Sequence, residues 1–463
     1  MLKLNRIILV VLILMVSAVQ PVLAQNGSIL PIYVVQPGDT LYSIALKFNV
    51  SVADIIDANQ LANPDILSAG MELKIPGLEG IEGKLITRPV PLGQNLSSLS
   101  RFYQIQPKDL VKINRLTSPS EVYVGADLIL PEKDNAYFKA LATLPENMSV
   151  LEFSTIRNAN PWGLAEYNLA DAPGNLLPGE KMFTPSKPEE AVLGNPLEPH
   201  ISKLDLSPLP LIQGSTAVIQ INTSGPITIN GNLNGKPLSF FVLANNSYTA
   251  IQGIHAMSEP GLADFNLTIT LPDGTIASLD QTILLQDGYY PQDPPLYVSA
   301  ETIDPANTKP EDTQVAGKVA LITPDKLWDG QFKLPVNPPS CIKSWYGNRR
   351  SYNDSPFSYF HTGLDFGVCS DLDILAPARG KVVFAGALTV RGNATIIDHG
   401  WGVFTGYWHQ KEIFVKEGDQ VEAGQLIGFI GDTGRVTGPH LHFEVWANGV
   451  QVNPQEWLDR IIP

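Results

Sequence analysis

Near the C-terminus, β-branched and aromatic residues crowd between glycine turns along Gly380 to Ala385, Ala394 to Asp398, Val403 to Trp408 and His440 to Val445, which predicts four strands. The middle of the chain alternates apolar and polar positions over Ser215 to Asn222, Pro226 to Asn230, Leu238 to Val242, Phe265 to Leu271 and Ile276 to Leu284. Turns such as Asn230-Gly231 and Asp273-Gly274 separate these runs. Short strands at regular spacing predict an all-β sandwich over 199–290.

The N-terminal part repeats. In the first copy, Val34 to Gly38 predicts a short strand, and a helix opens near Asp39-Thr40 with Leu41, Ile44 and Phe48 on one side. A second helix opens near Ser51 and carries Ile55 and Ile56 before Asn59, and Met71 to Ile75 predicts a closing strand. Gly93, Leu96, Leu99, Tyr103, Leu110, Asn114, Gly125 and Leu130-Pro131 keep the same frame 55 positions on. Val150, Phe153, Leu164, Asn168, Gly179 and Pro185 keep it again 109 positions from the first copy, although Arg157 replaces the apolar Phe48 position. Three small α+β modules of βααβ order are expected, at 32–77, 86–132 and 141–186. Leu193 to Pro210, rich in proline and polar residues, reads as a linker. A second linker is expected over 291–330, with a short helix from Pro305 to Val319.

The ends and the charge narrow the function. Lys3 and Arg6 precede an apolar run from Ile7 to Val19, and Val22-Leu23-Ala24 follows, so 1–24 reads as a secretory signal peptide. That implies a secreted, extracellular or envelope-associated protein with no permanent membrane anchor after cleavage. A net charge of −15 speaks against nucleic acid as a partner, because polyphosphate would repel the chain. The two cysteines, Cys341 and Cys369, bracket His361 and Asp365. After export they can form a disulfide or stay as buried thiols. The sandwich pattern suits an immunoglobulin-like domain and carries no catalytic constellation.

Five of the seven histidines lie between His361 and His442. His440 and His442 are two apart on a predicted strand and so share a face. His361 and Asp365 are four apart, which allows joint ligation from a strand or from a helical turn. Two histidines and one carboxylate suit zinc, and three protein ligands leave a fourth position for water, as catalytic sites require. His399, in Asp398-His399-Gly400, reads as a turn residue with no ligand role.

The motifs His361-Thr-Gly-Leu-Asp365, Ala376-Pro-Ala-Arg-Gly-Lys-Val-Val, Tyr407-Trp-His409, Val421-Glu-Ala-Gly-Gln-Leu-Ile-Gly and Thr437-Gly-Pro-His440-Leu-His442-Phe-Glu together resemble the lysostaphin-type, or LytM-type, zinc metallopeptidases of bacterial peptidoglycan. The resemblance implies a mainly antiparallel β peptidase domain over 331–463, one Zn2+ on His361, Asp365 and His442, and catalytic histidines at His409 and His440. The N-terminal copies resemble LysM modules, which implies a partner in the N-acetylglucosamine-containing glycan of peptidoglycan as well as its peptide stems. The second and third copies can either bind glycan or act as spacers. Two other classes stay open: a catalytically silent wall-binding activator of another murein hydrolase, and a wall anchor whose repeats carry the main role.

Overall fold

The computed structural model describes residues 30–64, 66–133, 139–185, 197 and 201–463, so the expected signal peptide at 1–24 lies outside the described residues. Two compact units divide the chain. One takes it up to Ile86 with Lys112–Asn114 and the stretch opening at Ile129, and the other takes Thr87–Val111, Arg115–Leu128 and the remainder to Pro463.

The first repeat runs β1 (Ile32–Val34), α1 (Leu41–Phe48), α2 (Val52–Asn59) and β2 (Glu72–Lys74). Thr40 starts α1 because its hydroxyl accepts from the Ser43 N–H while the Ser43 hydroxyl accepts from the Thr40 N–H. Ser51 starts α2 by accepting from the Asp54 N–H. The apolar stripe of α1 buries Leu41, Ile44, Ala45 and Phe48. The second repeat is β3 (Lys84–Pro89), α3 (Leu96–Tyr103), α4 (Pro107–Asn114) and β4 (Asp127–Glu132). The third is β5 (Lys139–Thr143), α5 (Val150–Ile156), α6 (Pro161–Tyr167) and β6 (Lys181–Pro185).

One asparagine explains why the frame repeats. Asn59 ends α2, donates to the Ile55 and Lys74 carbonyls and accepts from the Lys74 N–H, which ties the helix end to the closing strand. Asn114 exchanges the same two bonds with Ile129, and Asn168 with Phe183. A side-chain amide has one donor face and one acceptor face, so it can replace a missing strand neighbour there.

The middle region is built from β7 (Ile201–Ser207), β8 (Leu211–Ile212), β9 (Thr216–Thr223), β10 (Thr228–Leu233), β11 (Lys236–Pro237), β12 (Phe240–Ala244), β13 (Ser247–Gly253), β14 (Gly261–Thr270) and β15 (Ile276–Gln286). They form two sheets, β11-β10-β14-β15-β8 and β12-β13-β9-β7. Ile219, Ile221 and Ala250 from one sheet and Phe265, Leu267 and Ile269 from the other share a single core. The expected linker over 193–210 is corrected here: Ile201–Ser207 is a strand paired antiparallel with β9.

The terminal sheet contains β16 (Ile342–Ser344), β19 (Leu364–Gly367), β20 (Asp373–Leu375), β21 (Gly380–Leu388), β22 (Gly392–Asp398), β23 (Val403–Ile413), β24 (Gln420–Val421), β25 (Leu426–Ile430), β26 (His440–Ala447) and β27 (Val450–Val452). Its main path is β16-β19-β26-β23-β22-β21-β24, antiparallel at every step, and β17 (Arg349–Arg350) pairs with β18 (Tyr359–Phe360) beside it. Cys341 and Cys369 form a disulfide.

The connector at 291–330 is folded against this sheet. Gln292 and Leu296 bridge to Arg349 and Tyr352, and α7 (Pro305–Val319) buries Val315 and Val319 in a cluster with Phe384, Trp408 and Trp446. The sandwich shares a core with the terminal domain as well, since Val218, Ile251 and Ala256 join Trp328, Val452 and Trp457. On the closing helix α8 (Pro454–Asp459), Glu456 accepts from the Thr216 N–H and the Trp457 indole donates to the Thr216 hydroxyl. Among the described residues no helix is long and apolar enough to cross a membrane.

Candidate active site

The antiparallel register of β19 against β26 sets Asp365 directly opposite His442 and Gly367 opposite His440. Directly opposed residues have neighbouring Cβ atoms, so the carboxylate and the imidazole meet across the ladder without any loop to place them. His361 precedes β19 and is held by its backbone, which donates to the Asn348 carbonyl and accepts from the Gly347 N–H. His361 Nε2, Asp365 Oδ1 and His442 Nδ1 then converge, with separations of 2.9, 2.9 and 2.8 Å.

The far side of each ring fixes its tautomer. His361 Nδ1 lies 2.8 Å from the Trp345 carbonyl, which can only accept, so Nδ1 carries the proton and Nε2 keeps its lone pair. His442 Nε2 donates to Glu444 at 3.0 Å, which leaves Nδ1 as the lone-pair nitrogen. Three acceptor atoms therefore face one another in a buried place, an arrangement that a cation satisfies, and the set of two imidazoles and a carboxylate fits zinc.

The electrostatics agree. Burial lowers the His361 pKa to about 4, so this ring is neutral at physiological pH, as a ligand must be. Burial pushes the Asp365 carboxyl up, but the adjoining His361 and His442 rings hold it well below the usual carboxylate range. Burial also opposes charge on His442, yet Asp365 and Glu444 on either side raise its pKa; the field that draws a proton to this ring draws a cation equally.

His409 and His440 stand beside this cluster. Their ring centroids are 4.9 Å apart, and His440 Nε2 lies 3.6 Å from Asp365 Oδ1. The His409 Nδ1 donates to the Thr433 carbonyl and the His440 Nδ1 to the Gly438 carbonyl, both at 2.8 Å, so in the neutral form of each ring Nε2 is the lone-pair atom. Burial, followed by the neighbouring His442 and His440, lowers the His409 pKa to about 3. All five residues expected from the sequence line one cleft of about 1170 Å3. His399 is elsewhere: it is buried, donates from Nδ1 to the Arg379 carbonyl and bonds the Thr405 hydroxyl through Nε2.

Several contributors were not expected from the sequence. Glu444 backs His442 and also accepts from Thr362 and Gln451. Arg350 reaches the outer oxygen of Asp365 at 3.4 Å and faces Asp293 of the connector at 3.6 Å. The spacing His440-x-His442-x-Glu444 offered one usable signal, because a two-residue period puts all three side chains on one face of β26.

The model of Peptidase family M23 matches residues 359–454, and that of the LysM domain matches 33–76 and 90–131. The chain is 42% identical over 110 residues to a DD-carboxypeptidase/endopeptidase of Neisseria meningitidis, which covers 22% of this chain and 25% of that protein. It is 37% identical over 129 residues to the peptidoglycan DD-endopeptidase ShyA of Vibrio cholerae, covering 28% of this chain and 30% of ShyA. The match thus spans only 25% to 30% of the length of these relatives. Among solved structures, the catalytic domain of the antimicrobial peptidase lysostaphin from Staphylococcus simulans aligns at 29% identity and a TM-score of 0.21, over 28% of this chain and 89% of that one. The third repeat lies outside the LysM matches, although it keeps their order of elements. Behind its LysM domains, the chain carries a Peptidase family M23 domain of the LytM type.

Proposed function

We propose that this protein is a secreted, zinc-dependent endopeptidase that cuts peptide cross-links of bacterial peptidoglycan and is brought to the glycan by its LysM modules. In this reading His361, Asp365 and His442 hold one zinc ion, His409 and His440 are catalytic, 1–24 is removed on export, and the sandwich over 199–290 is of immunoglobulin-like type. The observation that carries the proposal is the convergence of three lone-pair atoms beside two histidines whose Nε2 atoms are left free to take a proton.

Zinc bound there supplies Lewis acidity, which acidifies water and polarises a carbonyl. The protein's own residues do the rest. A free Nε2 on His409 or His440 accepts the proton of the attacking water, and the partner ring, when protonated at Nε2, donates to the oxygen that gains charge. Arg350 screens the outer oxygen of Asp365, and Glu444 keeps His442 in the tautomer that offers Nδ1.

The test measures zinc content and release of new amino groups from isolated sacculi. His440→Ala and His409→Ala should retain zinc and lose roughly a hundred- to ten-thousand-fold in rate. His442→Ala should lose both. Purified wild type that takes up no zinc, or that acts only when a second hydrolase is added, would refute the proposal and favour the silent activator.

A further inference from the structure

The connector helix α7 carries a buried acid that ordinary helix packing does not explain. Glu311 is 5% exposed and sits on the inward face with Val315 and Val319, four and eight positions on. Its carboxylate accepts from the Val390 N–H at 2.8 Å, the Arg391 N–H at 3.1 Å and the Arg391 guanidinium at 2.8 Å. Val390 and Arg391 form the turn between β21 and β22, and the Arg391 carbonyl in turn accepts from the backbone N–H of His409 at 2.9 Å.

His409 needs such a restraint. Its φ is +64°, in the left-handed region that a residue with a Cβ rarely adopts. Such a conformation persists only where the surroundings over-determine it. Here the restraints are the Arg391 carbonyl on the backbone N–H and the Thr433 carbonyl on the ring. The connector holds both strands of this arrangement. Glu311 fixes the 390–391 turn, and the Thr302 carbonyl accepts from Arg435, whose own backbone N–H donates to the Val390 carbonyl. The Arg391 guanidinium also lies over the Trp408 ring at 5.5 Å, next to His409 in sequence.

We infer that Glu311 is a positioning residue for His409: through the Val390–Arg391 turn it holds the histidine in the backbone conformation that aims Nε2 into the cleft. The inference rests on the hydrolase reading above and gives the connector a share in catalysis. Glu311 touches neither the metal cluster nor the substrate space directly, so its loss should lower kcat without changing KM or zinc content.

The experiment uses the full mature chain, with kcat and KM measured on soluble cross-linked muropeptides alongside zinc content and Tm. Glu311→Gln should lower kcat by roughly a hundred-fold, as a misplacement of about 1 Å does, at unchanged KM and zinc. Lys318→Ala, on the same helix but paired with Glu417 at the surface, should behave as wild type. On a His409→Ala background, Glu311→Gln should cost nothing further, because its effect passes through the missing ring. If Glu311→Gln does not fold, Glu311→Asp, which keeps the charge but retracts it, replaces it in each comparison. Wild-type cleavage with an unchanged kcat in the variant would overturn the inference alone, as would an equal loss with and without His409. Wild type that cleaves nothing would overturn the hydrolase reading and this inference with it.

Discussion

Replacing Glu444 by glutamine removes one charge from behind a metal-binding ring while leaving its volume almost unchanged. Glu444 is 2% exposed and is held by three donors: His442 Nε2 at 3.0 Å, the Thr362 hydroxyl at 2.5 Å and the Gln451 amide at 3.0 Å. Burial pushes its pKa up, but His442, then Arg391 and Thr362, bring it down to about 2, so it is a carboxylate at any working pH. The amide oxygen of glutamine can still accept from His442, and what is lost is the charge that assists this bond. A hydrogen bond to a charged group is worth about 1.5–3 kcal/mol against about 1 for a neutral one. The difference, about 0.5–2 kcal/mol, corresponds to a roughly two- to thirty-fold loss of zinc affinity, whose upper part overlaps the roughly ten- to hundred-fold range of such outer partners. Competition with a chromophoric chelator at pH 7.5 reads this directly. Zinc affinity within two-fold of wild type would refute the idea that the Glu444 charge supports the ligand.

Other consequences can be checked on the same protein. Burial lowers the His399 pKa to about 4, so the folded chain refuses a proton that the unfolded chain accepts below about pH 6.5. Its contribution to stability is complete above that pH and declines by at most about 3 kcal/mol as the pH falls from 6.5 to 4. Urea melts at several pH values should therefore show a shallower acid loss for His399→Gln than for wild type, and parallel curves would contradict this. The Cys341–Cys369 bond closes a loop of sequence separation 28, worth about 3.5 kcal/mol by chain entropy. Cys341→Ser with Cys369→Ser should lower the denaturation midpoint of the terminal domain, and an unchanged midpoint would show that the cross-link restrains nothing in the unfolded chain.

Local rules made much of this protein readable. The helix starts at Thr40 and Ser51, the repeating asparagines at 59, 114 and 168, and the one-face placement of His440 and His442 all follow from contacts within a few residues or from a strict two-residue period. The rest depended on partners far away in sequence. Glu311 meets Val390 across 79 positions, and a glutamate in the middle of a buried stripe weakens the very pattern that marks a packed helix. The prolines around Ile201–Ser207 masked a strand whose partner β9 supplies the missing hydrogen bonds. The Trp345 carbonyl that fixes His361 leaves no trace in any side-chain pattern.

The shared core of the sandwich and the terminal domain bears on how such a chain can be recombined. At Gly253 a Cβ would come within 2.8 Å of Val450 and Val452, so the sandwich offers a socket shaped by the absence of a side chain, and β27 is what fills it. Phe241 stacks on Trp401 at 5.0 Å, and Thr216 meets both Glu456 and Trp457. Transplanting residues 331–463 into another protein would expose Trp457 and Val452 and leave the socket empty behind them. The sandwich, the connector and the peptidase domain are therefore the unit whose core stays closed, and a chimera cut at that boundary keeps Val218 and Ile251 packed against Trp457 and Val452.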